Sequence, residues 1–344
     1  MSDYSVSIID SIAEVGKNPW NNLIKQSTLG SVFHKYEWLK VLQDGLELQA
    51  KHILITKDNN PVGIFPHFII SDKKVPFKKL SSIVPGFGGP VIGKDEGIIL
   101  TLMLKKIPDL CKDSVAVHWI ITHDLSYFRY ANIFVRDGYQ MSHGGCQFYI
   151  NLKQSYDEII NNMNHHRRKE LIKIKKTPFS VYDQKITEET ILNFYQDYKT
   201  SLEKNNIKAY PTAFFQSLST EMSDQMKIFT ATKNDKPIGS ILCIIDKKRQ
   251  IIHGFFSAIT NENFQYKPWV ILNDHVIQWG QEHSFQSYDL GETPTDFFDP
   301  IFKFKESFGG TLFPLLVWEK SYSLIRWNVF KSARYVYRKF NKKT

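Results

Sequence analysis

No run within the 344 residues approaches the ~20 consecutive apolar residues that would cross a bilayer as a helix. The opening MSDYSVSIID lacks the basic start and apolar core of a secretory signal, so a cytoplasmic location is expected. Cysteine is scarce. Cys111, Cys146 and Cys243 are odd in number and widely spaced, which excludes a disulfide framework or zinc knuckle and leaves three small apolar side chains. No H-E-x-x-H is present, and the adjacent His165 and His166 cannot share one helix face, so no metal site is expected. No G-x-G-x-x-G opens a helix, which removes the dinucleotide fingerprint. A serine or cysteine nucleophile motif is likewise missing, so chemistry without a covalent enzyme intermediate is expected.

What is present describes a packed protein: 42% of residues are hydrophobic and 14% aromatic, and the length suffices for two cores. The net charge of +9 is concentrated in two places. Residues 319–344 carry eight Lys or Arg against Glu319 alone, a local +7, and NHHRRKELIKIKK (164–176) carries +5, so the remainder is slightly acidic. Two local basic elements, not a general cationic surface, would meet a phosphate-bearing partner.

The chain also echoes itself. TKDNNPVG (56–63) and TKNDKPIG (232–239) are polar turns between apolar runs, and each reads as a β-hairpin. The same shift of 176 residues carries YEWLKVL (36–42) onto TAFFQSL (212–218), setting Trp38 on Phe214, Leu39 on Phe215 and Leu42 on Leu218 along one short helix face. We read this as an internal duplication, with Trp38 and Phe214 in like environments.

Around the hairpins, SSIVPGFGGPVIG reads as a strand broken by Gly86, Gly88 and Gly89, and AVHWIIT (116–122) as a buried strand. SYDEIINNMNHHRRKELIKIKK reads as one helix opened by a Ser155–Glu158 capping box. QIIHGFFSAI is a strand, Pro268 starts a helix, YDLG (288–291) is a short strand, and IFKFKESFGG is a helix stopped by Gly309 and Gly310.

The order of VFHKYEWLKVL, HHRRKELIKIKK, the Pro-Ile-Gly strand, YDLG and above all FKESFGG resembles the FemAB/FemX-type nonribosomal peptidyl transferases of the GNAT superfamily, over roughly residues 20–318. The resemblance implies an α/β (α+β) chain of two tandem GNAT-like domains, each a mixed, mostly antiparallel sheet flanked by helices. Their expected extents are 1–150 and 151–318, followed by a basic tail helix, 319–344. It implies an acyltransferase that moves an acyl or aminoacyl group onto an amine of a cell-envelope or glycan precursor, with a charged tRNA as the common donor. An acyl-CoA-dependent N-acetyltransferase on an amino sugar, or a non-catalytic RNA-binding protein, are the alternative readings.

Amine acylation needs an uncharged nucleophile, a stabilised oxyanion and a neutralised leaving group. By the resemblance, Lys305 of FKESFGG is the group for the developing charge. Asp289 and Glu292 flank the end of the YDLG strand, where a carboxylate can take a proton or orient the amine. Lys35 and Tyr36 match the family's acceptor-binding segment, with Tyr210 in the equivalent place of the second half, and Arg167 and Arg168 match its basic helix and suit phosphate. Phe256 and Tyr266 complete the candidate substrate-binding set. Where a coenzyme A site would have a glycine-rich loop, FQYKPWVIL has Tyr266 and Trp269, so the usual coenzyme A pose is not expected and no cofactor is assigned. In the tail, Tyr322, Ile325, Val329, Val336 and Phe340 recur at helical spacing among Arg326, Lys331, Arg334, Arg338 and Lys339. That pattern suits reversible contact with an anionic membrane, where a lipid-linked acceptor would be met.

Overall fold

The computed structural model describes residues 4–71, 77–112, 115–122, 124–203 and 207–323, together with 325, 327–329 and 332. It divides into two compact units. The first comprises Met1–Gln43, Glu47–Gly144 and the chain from Leu315 onward; the second comprises Asp44–Leu46 and Gly145–Pro314.

The first part of the chain forms β1 (Tyr4–Ile9), α1 (Lys17–Gln26), α2 (Tyr36–Gly45), β2 (Gln49–Ala50), β3 (His52–Lys57), β4 (Asn60–Phe65), β5 (Phe68–Ser71), β6 (Lys78–Ser81), β7 (Val91–Ile92), α3 (Glu96–Leu110), β8 (Val115–Thr122), α4 (Ala131–Arg136) and β9 (Gln140–Asn151). The rest forms α5 (Tyr156–Asn162), α6 (His165–Ile174), β10 (Phe179–Gln184), α7 (Glu188–Glu203), α8 (Thr212–Glu221), β11 (Met226–Lys233), β12 (Lys236–Asp246), β13 (Ile251–Ala258), α9 (Pro268–Glu282), β14 (Ser287–Thr293), α10 (Pro300–Glu306) and β15 (Thr311–Ser321). The chain changes unit inside β9 and again inside β15, not at the expected 150/151 and 318/319 junctions. The crossings fall at Gly144-Gly145 in β9 and at Pro314 in β15, inside strands that continue on both sides, so these residues do not read as linkers.

In the second unit the sheet runs β10-β11-β12-β13-β14-β9, antiparallel except for the parallel β13–β14 pair. In the first, β1-β3-β4-β7 is antiparallel, and β6 pairs parallel with β8. Each unit buries its own core, one built on Phe65, Leu100, Met103 and Trp318, the other on Phe148, Phe229, Val276 and Tyr288.

The duplication is visible at single-residue detail. The bounds of α2, shifted by 176, are those of α8. Asp58 and Asn59 turn the first hairpin with φ of 50° and 61°, and Asn234 and Asp235 turn the second with 51° and 61°, the left-handed geometry that suits Asn and Asp. Even the bulges correspond: Ile55/Thr56 with Thr56 opposite Pro61, and Ala231/Thr232 with Thr232 opposite Pro237. Gly63 and Gly239 let a helix lie on each sheet, since a Cβ would meet Ile99 at 2.5 Å in one unit, and Ile259 at 2.7 Å and Pro268 at 3.3 Å in the other. Trp38 and Phe214 are both fully buried.

The reading of 155–176 as one helix is corrected. Asn164 is extended, and its side chain accepts from the Arg167 backbone amide, so the chain stops at Asn162 and restarts at His165. A side-chain cap satisfies amides that helix continuation would otherwise have used. The Ser155–Glu158 capping box is formed as expected.

Only the beginning of the basic tail lies within the described residues. Trp327, 3% exposed, joins Phe77, Ala116 and Val117 in a small cluster, while Ile325 (81%) and Val329 (64%) face outward. Val336, Phe340, Arg326, Lys331, Arg334, Arg338 and Lys339 lie outside the described residues. No helix among the described residues is long and apolar enough to cross a membrane.

Candidate active site

Within the second unit, β13 and β14 pair in parallel at Ile251–His253 with Ser287–Asp289, and the pairing ends there. Gly254 and Gly291 follow. Gly291 has φ of 85°, and a Cβ on it would lie 2.5 Å from the Gly254 carbonyl oxygen, so glycine is required where the strands part. Beyond this point is a cavity of about 230 Å³, walled by Gly254–Ser257 of β13, Leu290–Glu292 of β14, Ile241 of β12, Trp269, Leu272 and Asn273 of α9, and Phe304 and Lys305 of α10.

Lys305 owes its place to the short helix that carries it. Asp299 caps α10, accepting from the Ile301 amide at 2.7 Å, and Pro300 stands at the first helical position. Phe302 and Phe308 are buried in the core, and Gly309 turns away with φ of 74°. Lys305 Nζ donates to the Glu292 carbonyl oxygen at 2.7 Å. Burial lowers its pKa to about 8, against the opposing pull of Asp289, Glu292 and Cys146. The Glu292 carboxyl lies above its ordinary value, raised by desolvation, lowered by Lys305 and raised again by Asp289.

Asp289, 1% exposed, is not a cavity-wall residue. Its Oδ2 accepts from Gln147 Nε2 at 2.6 Å and pairs with His253 Nδ1 at 2.8 Å, and its Oδ1 accepts from the Gly291 amide at 2.8 Å. It acts electrostatically on both Lys305 and Glu292. Gln147 and His253 escaped sequence reasoning because they reach Asp289 from 142 and 36 residues away, on strands whose apolar alternation shows only burial.

Phe256 lines the cavity, and Tyr210 stands beside it with ring centroids 5.7 Å apart. Burial, then Tyr198 and Glu292, push the Tyr210 hydroxyl up to about 12. The structure therefore brings Lys305, Asp289, Glu292, Phe256 and Tyr210 together. Tyr266 is elsewhere, with Lys233 Nζ 4.0 Å from its ring centroid, and Lys35 and Tyr36 belong to the first unit, where the Tyr36 amide donates to Asn21 Oδ1 at 3.0 Å.

Arg167 departs from the expectation of a phosphate-facing residue. It is 7% exposed, its Nε donates to Ser307 Oγ at 2.9 Å, it pairs with Glu170, and its guanidinium lies 4.8 and 4.7 Å from the Phe304 and Phe308 centroids. With Leu171 and Ile174 at i+4 and i+7, it is part of the buried face of α6. Arg168 is half-buried and donates to Asn161 at 3.3 Å. No group of three His, Cys, Asp or Glu is arranged to hold a metal among the described residues.

The approach to α9 bears on coenzyme A. Asn261–Tyr266 is a 3-10 turn without glycine, and Lys267 caps α9 with φ of 53°. The Asn263, Lys267 and Val270 amides each donate at 3.0 Å to Thr260, Phe264 and Lys267 carbonyls, and Pro268 has no amide to offer. Those amides are engaged within the chain.

Residues 164–299 match the family model of an acetyltransferase (GNAT) domain. The fold is similar to the crystal structure of FemX, with a TM-score of 0.65 at 11% identity over 91% of this chain and 96% of that one. It is also similar to a tandem GNAT protein from the clavulanic acid biosynthesis pathway, with a TM-score of 0.57 at 10% identity over 93% and 98%. A third likeness is to a C-terminal domain described as that of a lysylphosphatidylglycerol synthetase from Agrobacterium fabrum, with a TM-score of 0.62 at 10% identity over 94% and 96%. Comparison with curated proteins finds no match.

The second part of the chain thus carries a match to a GNAT acetyltransferase domain. The fold as a whole is similar to those of FemX and a tandem GNAT protein, and the family-model match falls in the second unit.

Proposed function

We propose that the second unit transfers an acyl or aminoacyl group directly to the amine of a cell-envelope or glycan precursor. The observation that carries this is Lys305, a half-buried ammonium on the wall of a largely apolar cavity at the split of β13 and β14. The neutral amine attacks the acyl carbonyl, forming the C–N bond and an oxyanion. Collapse breaks the bond to the donor's oxygen or sulfur, and the proton lost by the amine ends on the leaving group. Lys305 is suited to stabilising the negative charge on the oxyanion or the leaving atom, and Glu292 to accepting the amine proton. Asp289 holds this pair in a fixed field, and Tyr210 with Phe256 borders the approach.

The occupied amides before α9 support an aminoacyl donor, such as a charged tRNA, or a thioester seated differently from coenzyme A in its usual pose. Ile325 and Val329, exposed beside a docked Trp327, support weak membrane contact and hence a lipid-linked acceptor. A purely RNA-binding role draws less support, because Arg167 is committed inside the unit.

The test is mass spectrometry of envelope precursors or glycans from cells with and without the protein, followed by transfer in vitro with the acceptor so found. Lys305→Met should lower turnover by about two to three orders of magnitude while leaving substrate affinity nearly unchanged. Near-normal turnover of that variant would leave Lys305 as an ordinary helix lysine.

A further inference from the structure

The cavity walls are not neutral toward what is transferred. Eight of the fourteen residues that line it carry apolar side chains, among them Ile241, Phe256, Trp269 and Leu290, and the ionisable groups are Lys305 and Glu292 alone. The buried Asn273 amide is engaged, donating to the Trp269 carbonyl and accepting from the Tyr288 hydroxyl, both at 2.6 Å. A charge at the end of the transferred group would lie against hydrocarbon, with only Glu292 available to meet a cation and Lys305 an anion, and desolvating it would oppose binding.

Size sets an upper limit. A dry apolar cavity of ~150 Å³ holds benzene. At that density about 230 Å³ accommodates about nine heavy atoms, far more than an acetyl group needs and far less than a long fatty chain.

We propose that this cavity selects donors whose acyl group carries an uncharged apolar chain or side chain of about five to nine heavy atoms, with Ile241 and Phe256 setting the length. The proposal rests on the transfer reading above and narrows its substrate class. The same chemistry comes from two sources, a medium-length fatty acyl group or an aminoacyl group with a large aliphatic or aromatic side chain. Besides branching or aromaticity, the second carries an α-amino group that the first lacks.

Binding tests this without turnover. The full-length protein is titrated by NMR with n-alkanoyl amides from acetamide to decanamide, and with leucinamide, phenylalaninamide and lysinamide. Affinity should rise about three- to fourfold per methylene between four and eight carbons, then level off. Phe256→Ala should move the plateau to longer chains, and Ile241→Phe should shorten it by one or two carbons, with a thermal melt confirming that each variant folds. Tighter binding of phenylalaninamide or leucinamide than of the size-matched alkanoyl amide assigns the aminoacyl source, and the reverse assigns the fatty acyl source. Affinity independent of chain length, or lysinamide as the tightest ligand, overturns the proposal. Because Lys305→Met should keep the whole chain-length series, an intact series in a protein that transfers nothing would overturn the transfer reading alone.

Discussion

Arg167 donates from Nε to Ser307 Oγ at 2.9 Å across 140 residues of sequence, which joins the basic helix α6 to the helix that carries Lys305. Glu170 completes the link by pairing with both Arg167 and Lys267, at the start of α9. Arg167→Leu should therefore destabilise the protein by about 2 kcal/mol: Glu170 keeps Lys267 as a partner, but the buried hydrogen bond to Ser307 and the stacking on Phe304 and Phe308 are lost. Arg167→Lys should restore little, because an ammonium cannot combine the Ser307 bond with stacking on Phe304 and Phe308. Arg168→Ala should stay within about 0.5 kcal/mol. Urea denaturation followed by tryptophan fluorescence measures all three, and equal effects at 167 and 168 would contradict the buried linkage.

Lys305 gives a second prediction through its depressed pKa of about 8. If its ammonium stabilises developing negative charge, turnover should fall as pH rises through about 8. Lys305→Arg, still charged there, should push that falling limb upward. The rising limb should lie above the ordinary glutamate range, because desolvation first, and then Asp289, raise Glu292. A falling limb unmoved by Lys305→Arg would assign it to another group.

The same shift has a stability consequence of defined sign. The folded protein releases this proton near pH 8, and the unfolded chain near the ordinary 10.5. Below 8 the half-buried ammonium costs stability; that cost is relieved as pH rises from 8 to 10.5. Lys305→Met should thus be more stable relative to wild type at pH 7 than at pH 10.5, as read from denaturation midpoints at the two pH values.

Gly309 is the next position to test. Its φ is 74°, and an added Cβ would fall within contact distance of the Asn162 carbonyl and side chain. Gly309→Ala should cost about 2 kcal/mol or more, combining backbone strain with displacement of the end of α5. Gly97→Ala in α3, where a Cβ meets nothing within 4 Å, should be neutral or slightly stabilising. Thermal melts compare the two.

For the tail, Ile325→Asp combined with Val329→Asp leaves Trp327 in its cluster and removes the outward apolar pair. Binding to anionic vesicles at low salt should fall at least about tenfold, the loss expected when two apolar side chains can no longer insert. Sedimentation with anionic and neutral vesicles measures it. Unchanged partitioning would remove Ile325 and Val329 from any membrane contact.

Much of this was legible in the sequence, because the controlling forces there are local. Hairpin turns announce themselves through Asp58-Asn59 and Asn234-Asp235, whose side chains tolerate the left-handed backbone, and the paired apolar faces of α2 and α8 follow from helical spacing. Lys305 could be singled out through the family resemblance of FKESFGG, while Gly309 and Gly310 marked where its helix stops. The partners of Asp289 were not legible. Gln147 and His253 meet it only because β9 and β13 both pair with β14, and strand order is a long-range choice that no window of sequence contains. Arg167 shows the limit most plainly: its sequence neighbours His165, His166, Arg168 and Lys169 read as a charged face, yet helical rotation turns Arg167 inward with Leu171 and Ile174, onto Ser307, Phe304 and Phe308. Residue order fixed which elements form and which glycines and caps bound them. Tertiary packing decided which charges are buried and where two strands part to leave a cavity, because burial and register depend on neighbours brought from far along the chain.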